Sequence, residues 1–274
     1  MRRAAIGSRG PRKGARSHPV FCLMRSNLGR GHAHPYSPAL TPWGIMATIQ
    51  NNLQAVKTRI AAACRASGRP ESAVQLVAVS KTHPAVAVRA AAVAGQRDFG
   101  ENYVQEALTK IEVLADLQLV WHFIGPIQSN KTRAIAEAFH WVHSLDREKI
   151  ANRLSEARPA HLPPLKVCIE VNVSGEASKS GVAPEAVAPL ARQVSALPRL
   201  ALRGLMAIPE PTPDAEVQRR RFRTLRELKD ELVRGGLALD TLSMGMSADL
   251  EAAIAEGSTM VRIGTAIFGE RENA

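Results

Sequence analysis

Cysteine is scarce in this chain. Its 274 residues hold three, Cys22, Cys64 and Cys168, far apart and with no CxxC pair. That pattern argues against a disulfide framework or a thiolate zinc site, and it suits a reducing compartment, so a cytoplasmic protein is expected. No apolar run approaches the roughly 20 residues of a membrane span, so no membrane association is expected. Aromatic residues make up only 4%, and the two tyrosines are Tyr36 and Tyr103. There is no GxGxxG after a first strand, no Walker A motif, no HExxH and no GxSxG, which removes the usual dinucleotide, nucleotide, zincin and hydrolase signatures.

Acidic residues are also missing from positions 1–45. That stretch carries Arg2, Arg3, Arg9, Arg12, Lys13, Arg16, Arg25 and Arg30. Subtracting these eight charges from the net +11 leaves +3 for the rest, an ordinary balance for a soluble domain. The basic character therefore belongs to the tail, and nucleic acid is not an expected partner. The tail is rich in Gly, Pro, Arg, His and Ser without apolar periodicity, which predicts disorder. It reads as an upstream extension from a misplaced start, as a targeting peptide, or as a nucleic-acid arm. The folded body is expected over residues 46–274.

From Met46 a regular alternation begins. Ile49, Leu53, Val56, Ile60 and Cys64 recur at helical spacing. LVAVS (76–80) is continuously apolar until its serine, as in a strand buried on both faces. A helix follows Pro84, and a short strand is expected at Asp98–Gly100. Val104, Leu108 and Ile111 mark the next helix. LVWHFIG (119–125) is a strand, and Ser129 is expected to cap a helix through Phe139. WVHSL (141–145) is a strand, and Asp146 is expected to cap the helix after it. Further strands are expected in 165–173, 200–208, 240–244 and 260–269, with helices after Pro184, over 214–234 and over 248–255. The arginine run of 219–226 reads as a solvated face with pairs Arg223–Glu227 and Arg226–Asp230, or as a phosphate patch. Eight strands alternating with helices in about 225 residues predict a (β/α)8 barrel preceded by an extra helix. An open doubly wound sheet is the alternative.

Barrel closure makes the first and last strands neighbours, and active sites form at the C-terminal ends of strands. Lys81 ends the first strand. Ser243 ends the seventh, and Arg262, Gly264 and Thr265 lie on or after the eighth. The loops after strands 7 and 8 commonly build a phosphate site, and a helix starting near Ala248 would add N–H groups. A lysine amine beside such a pocket suits a phosphorylated aldehyde, with pyridoxal 5′-phosphate (PLP) the natural candidate: its aldehyde condenses with a neutral amine. Burial and Arg262 would each favour the neutral amine of Lys81. The alternatives are a lysine that reaches from its strand end into water and an Arg262 paired with an acid such as Glu270. An arginine at the pyridine nitrogen, in place of a carboxylate, would leave the ring a weaker electron sink.

The stretches AVSKTHP, FGENYVQEA, WHFIGPIQSNK, SKSG, RGLMAIP, DTLSMGMS and GSTMVRIGTAIFG, in this order over about residues 46–271, closely resemble the pyridoxal phosphate homeostasis protein family, single-domain barrels similar to the N-terminal domain of alanine racemase. The resemblance implies a Schiff base at Lys81, phosphate contacts from Ser243, the Met244 backbone, Gly264 and Thr265, and Arg262 at the pyridine nitrogen. It also implies that Asn102 and His122 line the pocket; read alone, they are a helix-start residue and a strand histidine.

Three functions are compatible with these residues. One is a PLP carrier that buffers or delivers the cofactor to apo enzymes, without metal and as a monomer. The second is an amino-acid racemase, which needs a base on each face of the substrate. The chain ends within ten residues of RIGT, and its tyrosines lie in the tail and at position 103, so little or no racemisation is expected. The third is a Schiff-base aldolase, disfavoured by the shortage of carboxylates at the ends of strands 1, 7 and 8.

Overall fold

The computed structural model describes residues 42–175 and 180–270. Residues 1–41 and two positions of the SKSG stretch lie outside the described residues. The expected strands are all present: β1 (Gln75–Val79), β2 (Asp98–Glu101), β3 (Val120–Phe123), β4 (Trp141–Leu145), β5 (Leu165–Glu170), β6 (Leu200–Met206), β7 (Thr241–Ser243) and β8 (Met260–Ile263). They pair in parallel, in sequence order, into a closed barrel. Closure runs through β1 and β8, with Gln75 opposite Met260 and Ala78 opposite Ile263. Among the described residues nine α-helices accompany them: α1 (Pro42–Ala66), α2 (Ala85–Val93), α3 (Val104–Val113), α4 (Thr132–Ala138), α5 (Glu148–Ala157), α6 (Pro184–Ser195), α7 (Ala215–Arg234), α8 (Leu250–Ala255) and α9 (Thr265–Phe268). The molecule is a (β/α)8 barrel with an added N-terminal helix, and no helix among the described residues is long and apolar enough to cross a membrane.

Each strand turns alternate side chains to opposite faces. The outward set, including Leu76, Ala78, Phe99, Phe123, Val142, Ile169 and Leu205, forms one continuous core with the helices. The inward apolar set is small: Val77, Trp141, Cys168, Met206 and Met260. Polar side chains, His122, His143, Ser243 and Arg262, are also buried. Such groups are tolerated only when hydrogen-bonded, and this interior network becomes part of the site below.

Several expected details change. α1 begins at Pro42 rather than at Met46; a proline fits the first helical turn, where its missing N–H is not needed. Ser129 does not cap α4. It opens a short 3-10 turn, Ser129–Lys131, and its carbonyl accepts from the Thr132 hydroxyl. Asp146 does not cap α5 either; its carboxylate is taken by Arg147. The expected pairs along α7 give way to tertiary ones. Arg219, Arg223 and Arg226 all meet Glu256 at the end of α8, and Arg221 meets Glu210. On α3 the buried face carries Val104, Ala107 and Lys110, while Leu108 and Ile111 are half-buried.

Candidate functional site

The C-terminal ends of the strands surround a cavity of about 300 Å3. Its walls are Val79, Lys81, His83, Asn102, Ile124, Ile208, Met246, Ser247, Ala248, Arg262, Gly264 and Thr265. Sequence reasoning thus brought five of its candidates, Lys81, Asn102, Arg262, Gly264 and Thr265, to one place. Ser243, Met244 and His122 lie elsewhere, each fully buried and none lining the cavity.

Lys81 reaches the cavity through strand alternation. Val79 and Lys81 face inward, while Ser80 between them is fully buried and donates its hydroxyl to Glu101 at 2.6 Å. Thr82, the next residue, has φ +66°, the only positive φ outside glycine among the described residues. For a β-branched residue that conformation costs on the order of 1–3 kcal/mol, and such strain persists only where the surroundings impose it. Gly264 lies directly beside β1: a Cβ there would sit 3.0 Å from the Val79 carbonyl, so a side chain would push β8 away from the lysine strand.

The wall expected to receive a phosphate is built differently from expectation. The Met244 N–H donates to the Met260 carbonyl at 3.0 Å, and its side chain is part of the outer core. It has no donor to give a ligand. The wall comes instead from the next residues, Met246, Ser247 and Ala248. Gly245, at φ +99°, turns the chain there, and a Cβ on it would strike that of Ala253 at 2.7 Å. Asp249 holds the loop by accepting the Met246 N–H at 2.5 Å, and Arg59 of α1 grips the Ser247 carbonyl. Opposite stand Gly264 and Thr265, where α9 begins: Ile267 and Phe268 donate to the Gly264 carbonyl, and the N–H groups of Thr265 and Ala266 before them have no intrahelical acceptor. After β7 the cavity wall thus begins at Met246, beyond the expected Ser243 and Met244.

Arg262 is 4% exposed and anchored by three bonds: to the Ser243 carbonyl at 2.6 Å, the Ser243 hydroxyl at 2.7 Å and the Ala207 carbonyl at 2.9 Å. No carboxylate pairs with it among the described residues, so the expected alternative of an acid partner is not realised. Burial lowers its pKa to about 10, with Asp249 and Glu170 pulling the other way. Three anchoring bonds leave part of its five-donor fork for whatever fills the cavity.

Behind Arg262 runs a buried relay that the sequence did not disclose. Ser243 Oγ lies 2.7 Å from His143 Nδ1, His143 Nε2 lies 2.9 Å from His122 Nδ1, and His122 Nε2 lies 3.0 Å from Asp98 Oδ1. Chemistry fixes its direction. The Asp98 carboxylate only accepts, so with neutral rings His122 Nε2–H donates to it, His143 Nε2–H donates to His122 Nδ1, and the Ser243 hydroxyl, which accepts from Arg262, donates to His143 Nδ1. Each histidine is held neutral in one tautomer. Burial, the other histidine and Arg262 press the His143 pKa well below its ordinary value; burial also lowers that of His122, against Asp98. His122 and Ser243 therefore position the arginine from behind.

Asn102 adds an acceptor. Its Oδ1 is buried and has no hydrogen-bond partner, although the residue lines the cavity. An unpaired buried amide oxygen costs free energy unless a ligand supplies a donor. The cavity thus offers an amine, a guanidinium, an amide oxygen and backbone N–H groups in one half-open space. These are the donor and acceptor types that a phosphorylated, aldehyde-bearing pyridine ring requires. No group of three or more His, Cys, Asp or Glu among the described residues is arranged to hold a metal ion.

A family model described as "Alanine racemase, N-terminal domain" matches residues 51–272. The pyridoxal phosphate homeostasis protein of Pseudomonas aeruginosa is 65% identical over 227 residues, covering 83% of this chain and 97% of that one. The protein of the same name from Vibrio cholerae is 57% identical over 231 residues, covering 83% and 98%. Among solved structures, PipY of Synechococcus elongatus with PLP bound superposes with a TM-score of 0.71 at 39% identity, covering 81% of this chain and all of that one. An alanine racemase of Clostridium difficile superposes with a TM-score of 0.67 at 15% identity, covering 83% and 58%, which is a likeness of fold. With most of its length matched at this level of identity, and its eight strands closed into the same barrel, the chain belongs to the pyridoxal phosphate homeostasis protein family.

Proposed function

We propose that this protein binds pyridoxal 5′-phosphate as a Schiff base on Lys81 and serves to hold and hand on the cofactor, with little or no catalysis of its own. The observation that carries the reading is the convergence of Lys81, Arg262, the unpartnered Asn102 oxygen and the start of α9 on one cavity. When bound, the cofactor supplies an aldehyde and an electron-withdrawing ring. The chain's part is to hold it. The neutral amine of Lys81 would bond the aldehyde carbon, with the carbonyl oxygen leaving as water. Arg262 donates to the ring nitrogen, steadied by Ser243, His143, His122 and Asp98. Backbone N–H groups of Gly264, Thr265, Ser247 and Ala248, with the Thr265 hydroxyl, receive the phosphate. Asn102 Oδ1 accepts from a polar ring substituent. Apo PLP-dependent enzymes are the natural recipients, and the carrier works as a monomer in the cytoplasm.

Weak catalysis is supported by what lines the cavity. Among its described wall residues there is no Asp, Glu or Tyr, so the ring nitrogen meets a guanidinium and no carboxylate stands by to move protons. The second reading, an amino-acid racemase, draws on His83, a titratable side chain on the same wall that stacks on Phe268 with ring centroids 5.1 Å apart. One experiment separates the two. The wild type should bind PLP with a shift in visible absorption that Lys81→Ala abolishes, and should return L-alanine with its configuration unchanged. Formation of D-alanine at roughly 1 per second or faster, lost in both Lys81→Ala and His83→Ala, would replace the carrier with a racemase.

A further inference from the structure

The turn that delivers Lys81 is clamped from behind by a lysine that never reaches the cavity. Lys110 on α3 is 4% exposed, and its ammonium spends three hydrogen bonds on three acceptors. These are the Ser80 carbonyl at 2.7 Å, Glu101 Oε1 at 2.7 Å and Glu106 Oε1 at 2.6 Å. The same two carboxylates then reach forward to the turn. Glu101 Oε1 accepts the Ser80 hydroxyl at 2.6 Å, and Glu106 Oε1 accepts the Thr82 N–H at 2.6 Å. Both neighbours of Lys81 are thereby tied to one ion cluster, on the side of β1 away from the cavity. Thr82 keeps its left-handed φ of 66°, and the bond from Glu106 to its N–H is a force able to hold it there. A buried ammonium is tolerated only when every donor is satisfied, so the cluster is rigid or it does not form.

We propose that Lys110 is a positioning residue for Lys81: with Glu101 and Glu106 it fixes the strained Ser80–Thr82 turn, so that the Lys81 amine meets an aldehyde held in the cavity. The inference rests on the PLP reading and deepens it. It separates two parts of binding that the cavity otherwise merges. The phosphate site and the ring-nitrogen contact belong to the loops after β7 and β8 and to α9, which the cluster does not touch; of the ring contacts only Asn102, next in the chain to Glu101, lies near it. Only the bond to Lys81 depends on the turn.

The test compares two ligands in the full-length protein, PLP and pyridoxine 5′-phosphate, which carries an alcohol in place of the aldehyde and cannot condense with an amine. Losing charge-assisted hydrogen bonds at the turn should weaken PLP binding by Lys110→Met about tenfold or more. Its visible absorption band should weaken in parallel, while pyridoxine 5′-phosphate binds within about twofold of wild type, the scatter expected of an untouched site. Equal affinity of wild type and Lys110→Met for PLP would overturn the inference. So would a parallel loss for both ligands, which would mark Lys110 as structural only. If Lys110→Met does not fold, Glu106→Ala, at a side chain 30% exposed, removes the acceptor of the Thr82 N–H and should give the same split at smaller size. Wild type that binds neither compound would overturn the site reading itself, a result distinct from wild-type binding with no split between ligands.

Discussion

Ser243 shows how far a residue's role can depend on what lies behind it. Expected as a phosphate ligand, it is the joint between Arg262 and the histidine pair. Ser243→Ala should leave Arg262 with one acceptor fewer and the fully buried His143 Nδ1 without a donor. The expected cost is about 1–3 kcal/mol, measured as a lower urea midpoint. Glu170 gives a prediction in pH. Burial raises its pKa to about 7, with Asp146 adding to the effect and Arg262 opposing it. An unfolded glutamate titrates near 4.3, so between these values the folded state binds the extra proton. The stability tied to the protonated form is complete below about pH 4.3 and is lost as pH rises through 7. Glu170→Gln should therefore match wild type near pH 4 and exceed it above pH 7, by up to about 4 kcal/mol. Urea titrations at both ends of that range measure the difference, and equal curves at pH 8 would refute the assignment.

Among elements, α7 and α8 are joined through one buried carboxylate. Glu256 is 1% exposed and meets three arginines of α7 at 2.8–3.1 Å. Burial opposes its ionised form, but Arg223, Arg219 and Arg226 prevail and hold its pKa below the usual value. Glu256→Gln should lower stability by about 1–3 kcal/mol, whereas Arg133→Ala, which breaks the exposed Arg133–Glu137 pair at 3.8 Å, should change it by less than about 0.5 kcal/mol. Thermal denaturation of the two variants gives the comparison. The contrast also marks what a sequence discloses. Strands buried on both faces announced themselves by composition, and helices by period, so the eight βα units and the neighbours Lys81, Arg262, Gly264 and Thr265 were legible. Local partners were misjudged at Ser129, Asp146 and the α7 arginines, because a better acceptor or donor stood on another element. Lys110 was hidden for the same reason: a lysine on an amphipathic helix reads as exposed unless Glu101, nine residues earlier, is known to lie inside. The His122–His143 relay needed the barrel closed before its members met.

For the whole molecule, the barrel brings together two things: a lysine just past its first strand and the glycine- and hydroxyl-bearing loops after its last two, made neighbours by closure between β1 and β8. We propose that this unit is self-sufficient. A shortened chain beginning at Pro42, where α1 starts, should melt within about 2 °C of the full chain, equivalent to at most about 1 kcal/mol, and bind PLP equally; a clear loss of either would assign residues 1–41 to the working fold. The central claim is more specific, that one lysine among those of this chain carries the cofactor. It is tested most directly by loading the protein with PLP, reducing it with borohydride, and locating the phosphopyridoxyl group by peptide mass spectrometry. The account predicts a single modified site, Lys81, at close to one group per chain. Modification centred on any other lysine, or reduction that leaves Lys81 untouched while PLP is bound, would contradict it.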